Sequence, residues 1–398
     1  MNEEKNSALC CPICGAVDSP LVVEVTEMPV HCHLLWPERS AAMDVPRGVI
    51  CLRYCRYCQH IYNQAFDPNL MAYSQEYDNS LHFSPRFQKY AYALAEKLVQ
   101  RYELQGKRIV EIGSGKGDFL TMLCRLGGAT GIGFDPSYEP DPDHQDENVT
   151  FIQDFFSDKY ANDLEADFIC CRHVLEHIEQ PESFVQMIRR TMGKQRDVTI
   201  FFEVPNSLHT IHSLAIWDII YEHFSYFSPQ SLGHLFRQNG FTIIDIAETF
   251  GGQFLTLEAQ SNGVNARRKA WENSPNFLYD LEVEVATFAI NHRRKVSAWQ
   301  QHLEQLADMG KKAVVWGAGS KGVTYLNLLQ GFGNIQYVVD INPRKQGMFV
   351  TSSGQEIVSP DFLLTYKPDV VILLNANYKE EIAGVLNRMN LTSEIMLA

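Results

Sequence analysis

Hydrophobic and polar positions change rhythm several times along the chain. Up to about residue 66 no helical period is visible. From Ser84 to Leu104, in SPRFQKYAYALAEKLVQRYEL, the pattern becomes helical, with Ser84 as a cap and Pro85 at the first turn. Between about 107 and 260 short apolar runs alternate with helical or polar segments, and KRIVEIG, ATGIGFD, ADFICC and DVTIFFEVP read as strands. Strands alternating with helices build a doubly wound parallel sheet. A long amphipathic helix is expected over 277–308. Strand, glycine turn and helix then begin again in KKAVVWGAGSKGVTYLNLL, IQYVVDINP and PDVVILLN. The expected fold is α/β, in parts: a small domain over 1–66, a helical lead-in over 67–106, a main sheet domain over 107–265, a helical connector over 266–309 and a second, smaller α/β domain over 310–398.

Composition narrows the class. A chain of 398 residues suits two or three domains, and 45% hydrophobic with 21% charged residues lets each bury a core. A net charge of -14 argues against a nucleic-acid partner, which needs a basic surface. The polar, acidic start MNEEKNSALC and the lack of an 18-residue apolar run point to a cytoplasmic protein without a membrane partner. Seven of the ten cysteines precede residue 60. Cys11 with Cys14 and Cys55 with Cys58 form two C-x2-C knuckles, the spacing of a tetrahedral zinc site. Four thiolates leave no open position, so such a zinc would be structural. Cys10, Cys32, Cys51, His31 and His33 are spare soft ligands nearby.

The first glycine turn, RIVEIGSGKGDFL, brings Glu111, Gly113, Gly115 and Gly117 to the end of a strand, where backbone N–H groups can approach a ligand. An adenosyl cofactor also needs a carboxylate for its ribose at the end of the next strand, and Asp135 stands there. Asp154 and Phe155 are placed to meet the adenine, and His173 lies near the fourth strand's end, where a positioning role is expected; Glu176 and His177, just beyond, read as a solvated or capping face. In this order the motifs resemble those of class I S-adenosylmethionine-dependent methyltransferases over about 107–210. The second turn, VVWGAGSKG, has Gly317, Gly319 and Gly322 in G-x-G-x-x-G order, with Asp340 about twenty residues on. That pattern admits an NAD-dependent oxidoreductase half. A phosphorylated substrate with Lys321 near its phosphates is the more economical expectation, because only about ninety residues remain.

The knuckles CPICG and CRYCQHIYN, the cofactor motifs, FFEVPN, YEHFSYFSP and the tail GAGSKGVTYLN…VVDINPRKQG…IVSPDFL together resemble the sugar C-methyltransferase family of natural-product and surface-polysaccharide pathways. The resemblance implies an N-terminal zinc domain, a central methyltransferase domain and a C-terminal Rossmann-like domain that helps hold a nucleotide sugar. It also implies that Glu222 and His223 match the family's acid and base pair. A histidine base can convert a C–H beside a ketone into a nucleophilic enolate, with Tyr221 or Tyr226 donating to the enolate oxygen. Glu203, Tyr73, Tyr77 and His82 are further substrate-side candidates, with Gly317, Gly319, Lys321 and Asn375 in the tail domain. The chain departs from the family at two places. It reads Ile220-Tyr221-Glu222-His223 where members read Tyr-His-Glu-His, and LLNANYKEE around Asn375 where they have Pro-Trp-Asn. A non-sugar acceptor methylated on oxygen or nitrogen is the alternative that these departures leave open.

Overall fold

The computed structural model describes residues 10–71, 83–140, 146–160, 165–193, 198–261 and 281–398; Tyr73, Tyr77 and His82 lie outside them. The N-terminal part, without visible periodicity in sequence, is an antiparallel sheet of β1 (Leu21–Pro29), β2 (Arg47–Tyr54) and β3 (Ile61–Asn63). Register shifts between Leu21 and Val23, and again between Val25 and Met28, break the inside–outside alternation that would mark β1 as a strand. The helix Pro85–Tyr102 starts where its signals stand: Ser84 Oγ accepts the Phe87 N–H at 3.3 Å. Phe87, Ala91, Leu94, Ala95 and Leu98 form its buried stripe.

The main sheet begins with β4 (Arg108–Ile112), β5 (Thr130–Phe134), β6 (Val149–Ile152), β7 (Phe168–Arg172) and β8 (Thr199–Pro205), all parallel. After β8 the chain leaves through a helix, Ser207–His212, and β9 (Ser225–Tyr226) pairs with β3 of the N-terminal sheet. It returns in a helix, Pro229–Gln238, then in β10 (Thr242–Thr249) and β11 (Phe254–Gln260), where β11 is antiparallel to both neighbours. The strand order is β10-β11-β8-β7-β4-β5-β6. The chain winds outward in opposite directions from β4, and the carboxyl ends of β4 and β7 flank the crevice where open α/β sheets bind ligands.

A helix over Glu282–Asp308 leads to a second sheet, wholly parallel: β12 (Ala313–Trp316), β13 (Ile335–Val339), β14 (Glu356–Val358), β15 (Val370–Leu373) and β16 (Glu394–Leu397), in the order β14-β13-β12-β15-β16. The parts share cores. Val23 and Ile50 from the first sheet, Trp217 and Tyr221 from the excursion after β8, Phe288 from the long helix and Val315 from the last sheet belong to one apolar cluster. Trp217 and Tyr325 meet edge-to-face at 4.8 Å. Burying one large apolar side chain is worth roughly 1.5–3 kcal/mol, so this contact alone ties the excursion to the tail domain. Among the described residues no helix is long and apolar enough to cross a membrane.

Candidate active site

β4 carries Glu111 to the first glycine turn. At Gly113, φ is +73° and a β-carbon would stand 2.1 Å from Val174 Cγ2, so only glycine fits. At Gly117, φ is +94° and a β-carbon would stand 2.5 Å from the Phe151 ring, whereas Gly115 faces open space. Asp135 clamps this loop: its oxygens accept the Gly115 N–H at 2.8 Å, the Ser137 N–H at 2.8 Å and the Ser137 hydroxyl at 2.6 Å. Glu111 is buried, its Oε2 lacks a hydrogen-bond partner, and burial pushes its carboxyl up to about 8. An amino acid's ammonium would satisfy that orphaned oxygen. At the rim Asp154 accepts the Phe155 N–H at 2.8 Å and the Tyr160 hydroxyl at 2.7 Å. Phe155 itself is 62% exposed, an apolar face for an adenine to cover. The residues therefore fit S-adenosylmethionine.

Beneath this cradle lies a buried ionic hub. Glu203 accepts from Arg172 Nη2 at 2.7 Å and Nε at 3.1 Å, receives the Tyr90 hydroxyl, and sits 2.9 Å from His173 Nε2. Burial opposes a charge on His173, but Glu176 and Glu203 outweigh it and hold the imidazole at about 9. His173 and Arg172 line the cavity, while Glu203, expected on the substrate side, stands behind them as their counter-ion.

The stretch after β8 supplies the reactive wall. Glu222 is fully buried and its Oε1 accepts the Cys32 N–H at 2.5 Å; both it and His223 face the cavity. Burial, then the neighbouring His177, His33 and His173, hold His223 well below 6.5, so it is neutral and able to accept a proton. The tyrosines have other uses. Tyr226 donates to the Ile220 carbonyl and accepts the Ile220 N–H, both at 3.0 Å. Tyr221 does not line the cavity; it stacks on Phe66 at 5.5 Å and its hydroxyl accepts the Asp67 N–H at 2.9 Å.

The far wall comes from the second sheet. Gly317, with φ +105°, and Gly319 form the turn, and Gly322 packs so tightly that a β-carbon would stand 2.1 Å from the Gly317 carbonyl oxygen. Lys321, brought down to about 7 by burial, is ion-paired with Asp218. Lys345 Nζ donates to the Ala318 carbonyl at 3.2 Å. Asp340, the residue a dinucleotide would use, accepts the Ala318 and Asn342 N–H groups at 2.8 Å each. Asn375 donates to Gln253 Oε1 at 2.9 Å, joining the two sheets. One cavity of about 570 Å³ touches Gly115, His223 and Lys321 alike.

Two family profiles match the chain, "Methyltransferase domain" over residues 86–246 and "C-methyltransferase C-terminal domain" over 275–393. The chain is 26% identical over 391 residues to the C-methyltransferase NovU of Streptomyces niveus, covering 94% of this chain and 90% of that protein. The chain thus pairs a methyltransferase domain with a tail similar to the C-terminal domain of C-methyltransferases. It is also 31% identical over 124 residues to the ubiquinone biosynthesis O-methyltransferase of Actinobacillus pleuropneumoniae serotype 5b (strain L20), 28% of this chain and 52% of that one. Similar solved structures include the magnesium protoporphyrin IX methyltransferase of Synechocystis PCC 6803, at 17% identity, 44% and 84% coverage and a TM-score of 0.35. Another is the N,N-8-amino-8-demethyl-D-riboflavin dimethyltransferase of Streptomyces davawensis, at 18%, 44% and 54%, with a TM-score of 0.34.

The chain is an S-adenosylmethionine-dependent methyltransferase, and four of its cysteines gather apart from the cavity lining. The sulfurs of Cys11, Cys14, Cys55 and Cys58 lie within 4.8 Å of one another, with Cys11–Cys58 at 3.6 Å and Cys14–Cys55 at 3.5 Å. Sulfurs about 2.3 Å from a tetrahedral zinc are about 3.8 Å apart, so the group fits zinc. His31, Cys32 and His33 are not part of it; they run to the reactive wall, where His33 lines the cavity. His33 and Lys345 also line the cavity, and no local spacing in the sequence marks either, because remote segments deliver them.

Proposed function

We propose that the protein methylates the carbon beside a ketone of a nucleotide-linked keto-deoxysugar, with His223 as the base. The observation that carries this reading is the shared cavity, which joins the cofactor turn to the second glycine turn past a neutral histidine. The similarity to the C-methyltransferase NovU supports carbon as the acceptor. In an acidic chain, Lys321 and Lys345 stand together beside the start of the helix Ser320–Leu328, a setting suited to a diphosphate.

S-adenosylmethionine, when bound, supplies an electrophilic methyl group, and Glu111, the Gly113–Gly117 turn, Asp135 and Phe155 would hold it. His223 removes the proton next to the carbonyl, and the C–H electron pair becomes that of an enolate, which makes the carbon nucleophilic. Glu222, held through Cys32, lines the same cavity as the imidazolium that forms. Tyr226 holds the base's loop by its two bonds to Ile220 and acts as a positioning residue. Tyr221 does the same from outside the cavity through Asp67.

The test uses a thymidine-diphosphate 4-keto-6-deoxyhexose in D2O, with S-adenosylhomocysteine in place of the methyl donor. Deuterium should enter the carbon beside the ketone with the wild type and not with His223→Ala. Absence of exchange in the wild type, with methyl found on oxygen or nitrogen in turnover, would refute the reading.

A further inference from the structure

Glu176 and His177, in the short turn after β7, meet His223 at the cavity wall, and each of the three offers a ligand atom within 4.8 Å of the others'. We propose that they form a second metal site, for a divalent transition ion such as zinc, and that its occupation and the base role of His223 exclude one another. The site stands on its own geometry, and the exclusion rests on the function proposed above.

Three observations carry the site. Glu176 is 1% exposed, and its Oε2 has no hydrogen-bond partner, although Oε1 lies 3.7 Å from His173 Nδ1. A buried carboxylate oxygen without a donor is costly, and a cation in reach would relieve it. His177 Nδ1 lies 2.9 Å from the Glu222 carbonyl oxygen; a carbonyl only accepts, so Nδ1 carries the proton and Nε2 keeps its lone pair. That is the outer bond that ligating imidazoles ordinarily make. Finally, His177 and His223 are half-buried and line the cavity, their rings 5.0 Å apart, so an ion between them would keep open positions.

Two imidazoles and one carboxylate select zinc, cobalt, nickel or ferrous iron over magnesium or calcium, which prefer oxygen. Two donors on one ion stand at most about 4.2 Å apart, so the trio closes with side-chain shifts of roughly half an ångström. The centre differs from the four cysteines, which are soft donors and do not line the cavity. An imidazole whose lone pair binds a metal cannot take a proton from carbon. An ion here therefore silences His223 while the glycine cradle remains able to hold the cofactor.

The experiment titrates Co2+ into protein whose cysteine centre is saturated with zinc, read by visible absorption and equilibrium dialysis. One further equivalent of Co2+ is expected, weakened at least about tenfold in both Glu176→Gln and His177→Gln. Retained zinc reports that the variants fold. Deuterium exchange of the substrate should stop as the site fills. No Co2+ beyond the zinc, or binding that both variants leave unchanged, overturns the site and leaves the base assignment standing. Binding that follows the variants while exchange continues overturns the exclusion, and the role of His223 as base falls with it.

Discussion

Glu203→Gln keeps the size of the hub carboxylate and removes its charge. Glu203 is fully buried and is the shared partner of Arg172, His173 and Tyr90. Deleting one member of a buried ion pair costs about 3–5 kcal/mol, because the other charge is stranded. Part of that cost carries a pH signature. His173 lies at about 9 in the fold against an ordinary 6.5, which favours the folded state by on the order of 3 kcal/mol. A raised histidine stabilises fully below 6.5, and the contribution disappears as pH rises through 9. Glu176 remains in the variant, so only the share from Glu203 is forfeited, on the order of 1–2 kcal/mol. Denaturant unfolding of both proteins between pH 6 and pH 10 should therefore show a gap of several kcal/mol that narrows by that amount at the alkaline end. A gap below about 1 kcal/mol, or one independent of pH, would show that Glu203 is not the counter-ion that the geometry makes it.

Two further outcomes follow from the cofactor cradle and the cysteines. Glu111, held at about 8 by burial, must ionise to receive an ammonium, so wild-type affinity for S-adenosylhomocysteine should rise from pH 6.5 to 8. Glu111→Gln should bind more weakly with no such rise, and calorimetry at several pH values decides; a parallel slope in both proteins would be evidence against Glu111 as the ammonium's partner. Cys14→Ser should lose the bound zinc and unfold at lower temperature, because Cys11, Ile13, Tyr62 and Phe236 share one core with the main domain. Zinc lost at unchanged stability would contradict a structural metal.

The central strands were legible because they are buried on both faces. FICCR in β7 is buried at every position, and β8 at all but its last. The glycine turns were legible because each needs a conformation or a close approach that only glycine allows, as at Gly113 and Gly322. The N-terminal sheet was not, since its shifts in register leave no clean period, and its last strand is two residues borrowed from beyond β8. The reactive wall was half legible. Glu222 and His223 stood out by resemblance, but Tyr221 and Tyr226 spend their hydroxyls on backbone groups that no side-chain pattern announces.

Both glycine turns close with the same lock. Asp135 takes the N–H groups of Gly115 and Ser137, and Asp340 takes those of Ala318 and Asn342, each at 2.8 Å. The acidic residue after the second strand is therefore first a clamp between two loops, whatever ligand lies above it. Its presence at 340 does not by itself argue for a dinucleotide. What separates the two turns is the charge around them. The first is backed by Glu111, with an unpartnered oxygen, and rimmed by the exposed Phe155, features that suit an ammonium and an aromatic base. The second is flanked by Lys321, paired with Asp218, and Lys345, which donates to the Ala318 carbonyl, and this pair of cations suits an anion. The glycine spacing sets the shape of the cradle, and the neighbouring charges decide which end of which molecule it holds.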